Sequence, residues 1–194
     1  MDPVPRPEWA SPLEVGVHVR SFYTALPEQP TRKVLEALCN DAPLLAFLER
    51  YPLGKLEFSG RLPNPEWRGS YDPQFREVVV NPFRGPETYG KDFYPPEPPS
   101  VSAAGRTLIE ALQRTLYHEL GHAVLDVAGP ETEHQIAVLL RERLAMPISI
   151  RAKGDPIEYF CETFAAYRFE DSLADKDPAG YDMVESIFRM VRKK

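Results

Sequence analysis

The segment Leu116–Leu125 reads Leu-Tyr-His-Glu-Leu-Gly-His-Ala-Val-Leu, and most of the fold and chemistry can be inferred outward from it. Apolar residues recur through and around this segment at helical spacing, which predicts an amphipathic helix over about residues 102 to 128. His118 and His122 stand four positions apart, so they lie about 40° apart around such a helix. Both imidazoles therefore project from one face, away from the apolar stripe.

Two converging imidazoles can share one metal ion, and Glu119 stands beside the pair, where a carboxylate touches a metal-bound water as a general base. A chance match on a solvated helix face is the competing interpretation. It is weakened because the whole chain holds four histidines, which makes this spacing rare by chance. Gly121 and Ala123 keep the neighbouring surface small, as a cleft for a substrate backbone requires. We predict a Zn²⁺ site with His118 and His122 as ligands and Glu119 as the catalytic base.

Two histidines hold zinc weakly, so a third protein ligand is expected, with water in the fourth position. The glycine and third histidine of the metzincin pattern are absent, because those positions hold Leu125 and Ala128. We favour Glu158, which shares one side of a predicted helix with Glu162 while aromatic side chains occupy the other side. Glu162 would then orient a ligand histidine, a role shared with Asp126, one turn after the motif.

Alternatives to this third ligand remain open. Asp155–Glu158 also forms a capping box, so Glu158 can serve as a helix cap alone. Glu162, Glu142 and His134 are the other candidates. Glu142 has the spacing of thermolysin-like enzymes but stands among charged residues typical of a solvated face.

The rest of the chain predicts an α+β fold, with a small N-terminal sheet packed against a helical C-terminal half. Short segments rich in apolar residues predict strands over 55–59 and 77–81, separated by a turn-rich stretch that contains Gly69. Residues 13–22 are ambiguous between helix and strand. Helical spacing is found in six segments: 32–38, 43–51, 102–128, 130–145, 156–172 and 179–192.

Composition bounds the remaining possibilities. With 194 residues, 43% of them apolar, the chain suits a single domain over 1–194 with a core that needs no disulfides. A net charge of −6 argues against nucleic acid as a partner. The sequence contains no run of eighteen apolar residues, so it predicts no membrane span. Two cysteines and no signal-peptide pattern indicate a cytoplasmic protein, or delivery by a signal-independent export route. A monomer is expected. Proline-rich stretches at 1–12 and 82–99 indicate loops, and a self-inhibited protease in which 82–99 covers the cleft is a further alternative.

Together, His-Glu-Leu-Gly-His and the later Glu-Tyr-Phe-Cys-Glu-Thr-Phe-Ala from Glu158 to Ala165 resemble the gluzincin peptidases, in particular the catalytic domain of anthrax toxin lethal factor. The resemblance covers about residues 76 to 170 and implies a zincin-like architecture. It implies zinc held by His118, His122 and Glu158, with Glu119 as base and Glu162 behind the ligands. The ImmA/IrrE-type regulatory peptidases look similar as well, usually at closer spacing.

Such peptidases also carry a tyrosine a few residues before the glutamate ligand to steady the oxyanion, and Arg151 to Gly154 contain none. Tyr167, Arg151 and His134 remain candidates for that role. The expected function is zinc-dependent hydrolysis of peptide bonds in a protein substrate, which would lie along an edge strand, for which 77–81 is the candidate. A non-catalytic, zinc-containing binding module is the alternative from another class.

Overall fold

The computed structural model describes residues 18–64, 67–82, 108–141 and 152–193. The stretch 1–12 and nearly all of 82–99 lie outside the described residues, as do Glu142 and Arg151. The elements are β1 Val19–Thr24, α1 Glu28–Cys39, α2 Ala42–Arg50, β2 Leu53–Phe58, β3 Gly69–Asp72, β4 Glu77–Val80, α3 Leu108–Ala128, α4 Pro130–Arg141, α5 Pro156–Phe169, α6 Leu173–Lys176 and α7 Pro178–Lys193. The predicted α+β layout, with the sheet first and helices after it, is confirmed.

The four strands form one sheet in the order β1-β2-β4-β3. β1, β2 and β4 run parallel, with α1 and α2 forming the crossover between β1 and β2, while β3 runs antiparallel to β4. Both predicted strands are confirmed within two residues, and the ambiguous segment ends in β1. The prediction that 77–81 forms the edge is wrong, because β4 pairs on both sides and β3 is the outer strand. β3 itself was predicted as a turn.

Helix α3 runs through the middle of the protein, between strands β3 and β4 on one side and α5 on another. Its predicted apolar stripe is confirmed, since Leu112, Leu116, Leu120 and Ala123 are buried. The burial extends further than predicted, because Tyr117, His118 and Glu119 are also at most 8% exposed. A helix covered on several sides buries polar as well as apolar positions. The motif therefore lies inside the protein and not on a solvated face.

Buried polar contacts fix α3 relative to the other helices. Asp41 caps α2 by accepting from the backbone N–H of Leu44 at 3.1 Å. The same carboxylate accepts the hydroxyl of Tyr117 at 3.0 Å and pairs with Arg168 of α5. Burial and the Asp41 charge raise the pKa of Tyr117 far above its ordinary value, so the phenol stays a donor. Because Tyr117 precedes the first motif histidine, this contact fixes the rotation of α3 about its own axis.

Helix α7 packs against the core and contacts helices α2 and α5. The ring of Phe188 meets Phe47 of α2 at 6.1 Å and Phe164 of α5 at 5.6 Å between centroids. One continuous apolar cluster therefore joins the N-terminal and C-terminal halves. None of the helices in the described ranges is both long and apolar enough to cross a lipid bilayer.

Candidate metal centre

Helices α3 and α5 approach each other closely at Gly121. A Cβ atom built there would lie 3.0 Å from Cα of Cys161 and 3.3 Å from its Cβ and Sγ atoms. The missing side chain therefore lets the two helices come close together. The expectation that Gly121 opens space for a substrate backbone is wrong, since α5 occupies that space. Ala123 is likewise fully buried in the core.

This close crossing brings together the three side chains predicted as metal ligands. His118 Nε2 lies 3.4 Å from Oε2 of Glu158, and His122 Nε2 lies 4.0 Å from Oε1 of the same carboxylate. One donor atom from each residue lies within 4.8 Å of the other two. Among the described residues, His118, His122 and Glu158 form the group of potential metal ligands whose donor atoms have metal-site spacing. The helix geometry expected from the sequence is therefore present.

The donor set fits a tetrahedral ion. Zinc binds imidazole nitrogen and carboxylate oxygen at about 2.0–2.2 Å, which places neighbouring ligand atoms about 3.4 Å apart. The observed separations lie at or somewhat above that value. Three protein ligands leave one coordination position for water or substrate. Because His118 and Glu158 are each 8% exposed while His122 is more open, access to this position lies on the His122 side.

The site is rich in negatively charged side chains. Burial lowers the pKa of His118, but the hydrogen bond to Glu158 and the charges of Glu162 and Glu119 outweigh it and raise the pKa to about 9. Several carboxylates around one imidazole favour a positive charge at this place. A bound proton and a bound metal ion satisfy the same requirement, so they compete for the site.

Glu162 lies on the far side of the His118 ring. Its Oε1 is 3.7 Å from Nδ1 of His118, which is the nitrogen that does not face Glu158. The distance is an ion-pair distance and somewhat longer than a direct hydrogen bond. The structure thus places this carboxylate beside the ring nitrogen that an orienting group would contact.

Glu119 extends from α3 towards the outer strand β3 and is 5% exposed. A Cβ atom at Gly69 would lie 2.6 Å from Oε1 and 2.9 Å from Cγ of Glu119. The carboxylate therefore occupies space that the glycine leaves free. It stands apart from the three converging donors yet close enough for its charge to act on His118.

Asp126 makes its contacts with Tyr71 and Arg76 on the strand side of the site. Its Oδ2 accepts the hydroxyl of Tyr71 at 2.8 Å and Nη1 of Arg76 at 3.2 Å. The ring of Tyr71 lies parallel to that of His122, 5° between planes and 6.5 Å between centroids. The predicted orienting role of Asp126 would therefore act through Tyr71.

Sequence reasoning missed Gly69 and Tyr71. Both fall in a stretch rich in proline and glycine, which was interpreted as a turn. A usable signal was present, because a short segment containing Tyr71 and the three consecutive valines of β4 flank the Asp72–Arg76 turn. That pattern is typical of a β-hairpin.

The two candidates for oxyanion stabilisation within the described residues have other surroundings. Tyr167 packs against Tyr181 of α7, with 4.9 Å between ring centroids. His134 is exposed on α4. Arg151 lies outside the described residues, and so does the alternative ligand Glu142.

No protein-family model matches this sequence, and no curated protein is significantly similar to it. The resemblance to gluzincin peptidases therefore stands on the quoted residues alone. Any function proposed for the protein therefore rests on the geometry and chemistry of the candidate metal centre.

Proposed function

We propose that this protein is a zinc-dependent metallopeptidase of the gluzincin type, with a zincin-like architecture. The observation that carries the proposal is the convergence of His118, His122 and Glu158 at the α3–α5 crossing, with Glu119 close enough for its charge to act on His118. The two histidines and Glu158 hold the ion. Glu119 is the general base, and Glu162 orients His118.

Bound zinc would supply Lewis acidity, which would activate water and polarise the scissile carbonyl. The Glu119 carboxylate would accept a proton from the attacking water as the water oxygen bonds to the carbonyl carbon. As the C–N bond breaks, Glu119 returns the proton to the leaving amine and is regenerated. Burial of Glu119 behind β3 keeps this carboxylate away from bulk water.

The outer strand β3 is the proposed substrate edge, in place of β4. It runs alongside α3 and is antiparallel to β4, so an extended peptide can pair by backbone hydrogen bonds with the side of β3 that no described strand occupies. Trp67, two residues before the strand, is 49% exposed. Its indole provides apolar surface for a substrate side chain at that end of the edge.

Zinc analysis combined with one conservative substitution tests the proposal. The purified protein is expected to contain one zinc ion per chain and to cleave members of an unbiased peptide library. Glu119→Gln should keep zinc and fold but lose about 10²- to 10⁴-fold in hydrolysis, the contribution usual for a general base.

Glu110→Gln is the matched control, because it makes the same change at an exposed position on the same helix. It should leave both zinc and hydrolysis unchanged. Zinc binding without cleavage of any library peptide would favour the non-catalytic binding module. Full hydrolysis by Glu119→Gln would show that Glu119 is not the base.

A further inference from the structure

The outer strand β3 contacts the motif helix with two alternate residues. Side chains two apart in a strand share a face, and here positions 69 and 71 face α3. Gly69 lies against Glu119, and Tyr71 lies against His122. The strand thus contacts both the proposed base and one of the proposed ligands.

Tyr71 is held at its far end by a chain of polar contacts. Its hydroxyl donates to Asp126, which also accepts from Arg76. Arg76 in turn donates to the backbone carbonyls of Tyr51 at 3.0 Å and Pro52 at 3.2 Å. The phenol is therefore anchored both to α3 and to the start of β2.

The anchored ring restricts the imidazole beside it. His122 is the more exposed of the two histidines, so its ring is less confined by the core. The parallel phenol ring of Tyr71 bounds one side of it. An imidazole held in one plane keeps Nε2 directed at Glu158, whereas a freely rotating ring loses orientational entropy when a metal binds.

We propose that Tyr71 is a positioning residue for the metal centre, which holds the His122 ring in its metal-binding orientation while Asp126 and Arg76 anchor the phenol. The inference rests on the proposed function only in taking His122 as a ligand. It assigns the strand a part in metal affinity that does not depend on a substrate. The contact between the Tyr71 and His122 rings is the main interaction, and the Tyr71 hydroxyl anchors the phenol ring.

Zinc affinity, measured by competition with a chromophoric chelator and without any substrate, tests this role. Tyr71→Leu removes ring and anchor, and its zinc Kd should rise about tenfold, the upper range for an aromatic pair. Tyr71→Phe keeps the ring and should stay within about threefold of the wild type. The visible spectrum of the cobalt-substituted protein should change in Tyr71→Leu and be preserved in Tyr71→Phe.

Tyr23→Leu is the matched control, because Tyr23 is a part-exposed tyrosine on the opposite outer strand β1 of the same sheet. It should lower stability without altering zinc affinity or the cobalt spectrum. Wild-type zinc affinity in Tyr71→Leu overturns the inference, and so does an equal loss in Tyr23→Leu. If the wild-type protein binds no zinc, both the inference and the proposed function fail. If it binds zinc but cleaves no peptide, only the peptidase proposal fails.

Discussion

The two walls of the candidate metal centre are built on different principles. The α5 wall contributes charged groups, with Glu158 and Glu162 both directed at His118. The β3 wall contributes a glycine and a tyrosine, which contact Glu119 and His122. We infer that the helix wall supplies ligands and the strand wall sets orientation. Substitutions in the two walls should therefore affect different measurements.

The largest effect is expected at His118 and His122, which lie between the two walls. His118→Ala and His122→Ala should each lose most of the bound zinc, because one donor of three is removed. Zinc at a hundred times its Kd stabilises the fold by about 2.7 kcal/mol, and that gain should vanish. Zinc content and thermal melting with and without a chelator measure both effects.

His134→Ala is the control for the histidine variants, since His134 is exposed on α4. It should keep wild-type zinc content and melting. If this variant alone lost zinc, the metal would have to bind at a place other than the α3–α5 crossing.

On the helix wall, Glu158→Gln separates a ligand from a helix cap. Glutamine can still reach back to a backbone amide but is a poor metal ligand, so zinc affinity and hydrolysis should fall together at nearly constant helix content. Asp155 is the actual cap, accepting from the N–H of Ile157 at 2.8 Å and of Glu158 at 3.3 Å. Asp155→Ala should therefore cost about 1 kcal/mol of stability without affecting zinc. Chelator competition and denaturant unfolding distinguish the outcomes, and the reverse pattern would make Glu158 a cap only.

On the strand wall, Gly69→Ala should damage hydrolysis and spare zinc. The new Cβ would meet Oε1 of Glu119 at 2.6 Å, so the carboxylate must move by about 1 Å to reach an ordinary contact distance. A displacement of that size can cost about 100-fold in rate. Steady-state kinetics should show the loss in kcat, with zinc Kd unchanged.

Ser70→Ala is the control on the same strand, because alternation turns residue 70 to the opposite face. It should behave as the wild type. Equal loss of zinc and hydrolysis in Gly69→Ala would mean that the strand wall acts on the whole site and not on Glu119.

The glycine of α3 that faces the helix wall, Gly121, should give a smaller effect on a different quantity. Gly121→Ala places a Cβ 3.0 Å from Cα of Cys161, and backbone cannot rotate away, so α5 must shift by a few tenths of an ångström. Zinc affinity should fall several-fold, while the higher helix propensity of alanine offsets part of the packing cost. Gly154→Ala, where no atom lies within 4 Å of the added Cβ, is the matched control. Unchanged zinc binding in Gly121→Ala would show that α5 tolerates the shift.

The same division explains what could be predicted from sequence. Spacing of four within a helix places His118 with His122, and Glu158 with Glu162, because these relations are local. The contacts of β3 depend on a hairpin whose pairing with β4 and packing against α3 are long-range. Gly69 in a proline-rich context was therefore assigned to a turn, and Tyr71 was not singled out. The burial of Glu119 was missed for the same reason, since the strand that covers it was missing from the prediction.

The smallest effect is expected at Asp126, and it decides between two interpretations of that residue. Asp126→Asn keeps an oxygen acceptor for the Tyr71 hydroxyl but removes the ion pair with Arg76. Those side chains are 36% and 24% exposed, so the lost pair is worth about 0.2–1 kcal/mol and less at high salt. If Asp126 acts only through Tyr71, zinc Kd should change by no more than about twofold. In the Tyr71→Phe background, which already lacks the hydroxyl, the substitution should then add almost nothing, because the two residues act in one chain of contacts. A carboxylate that orients His122 directly would instead cost about 10- to 100-fold in zinc affinity, with or without the tyrosine hydroxyl. Chelator competition on the four proteins of this cycle therefore separates the anchor derived from the structure from the direct role predicted from the sequence.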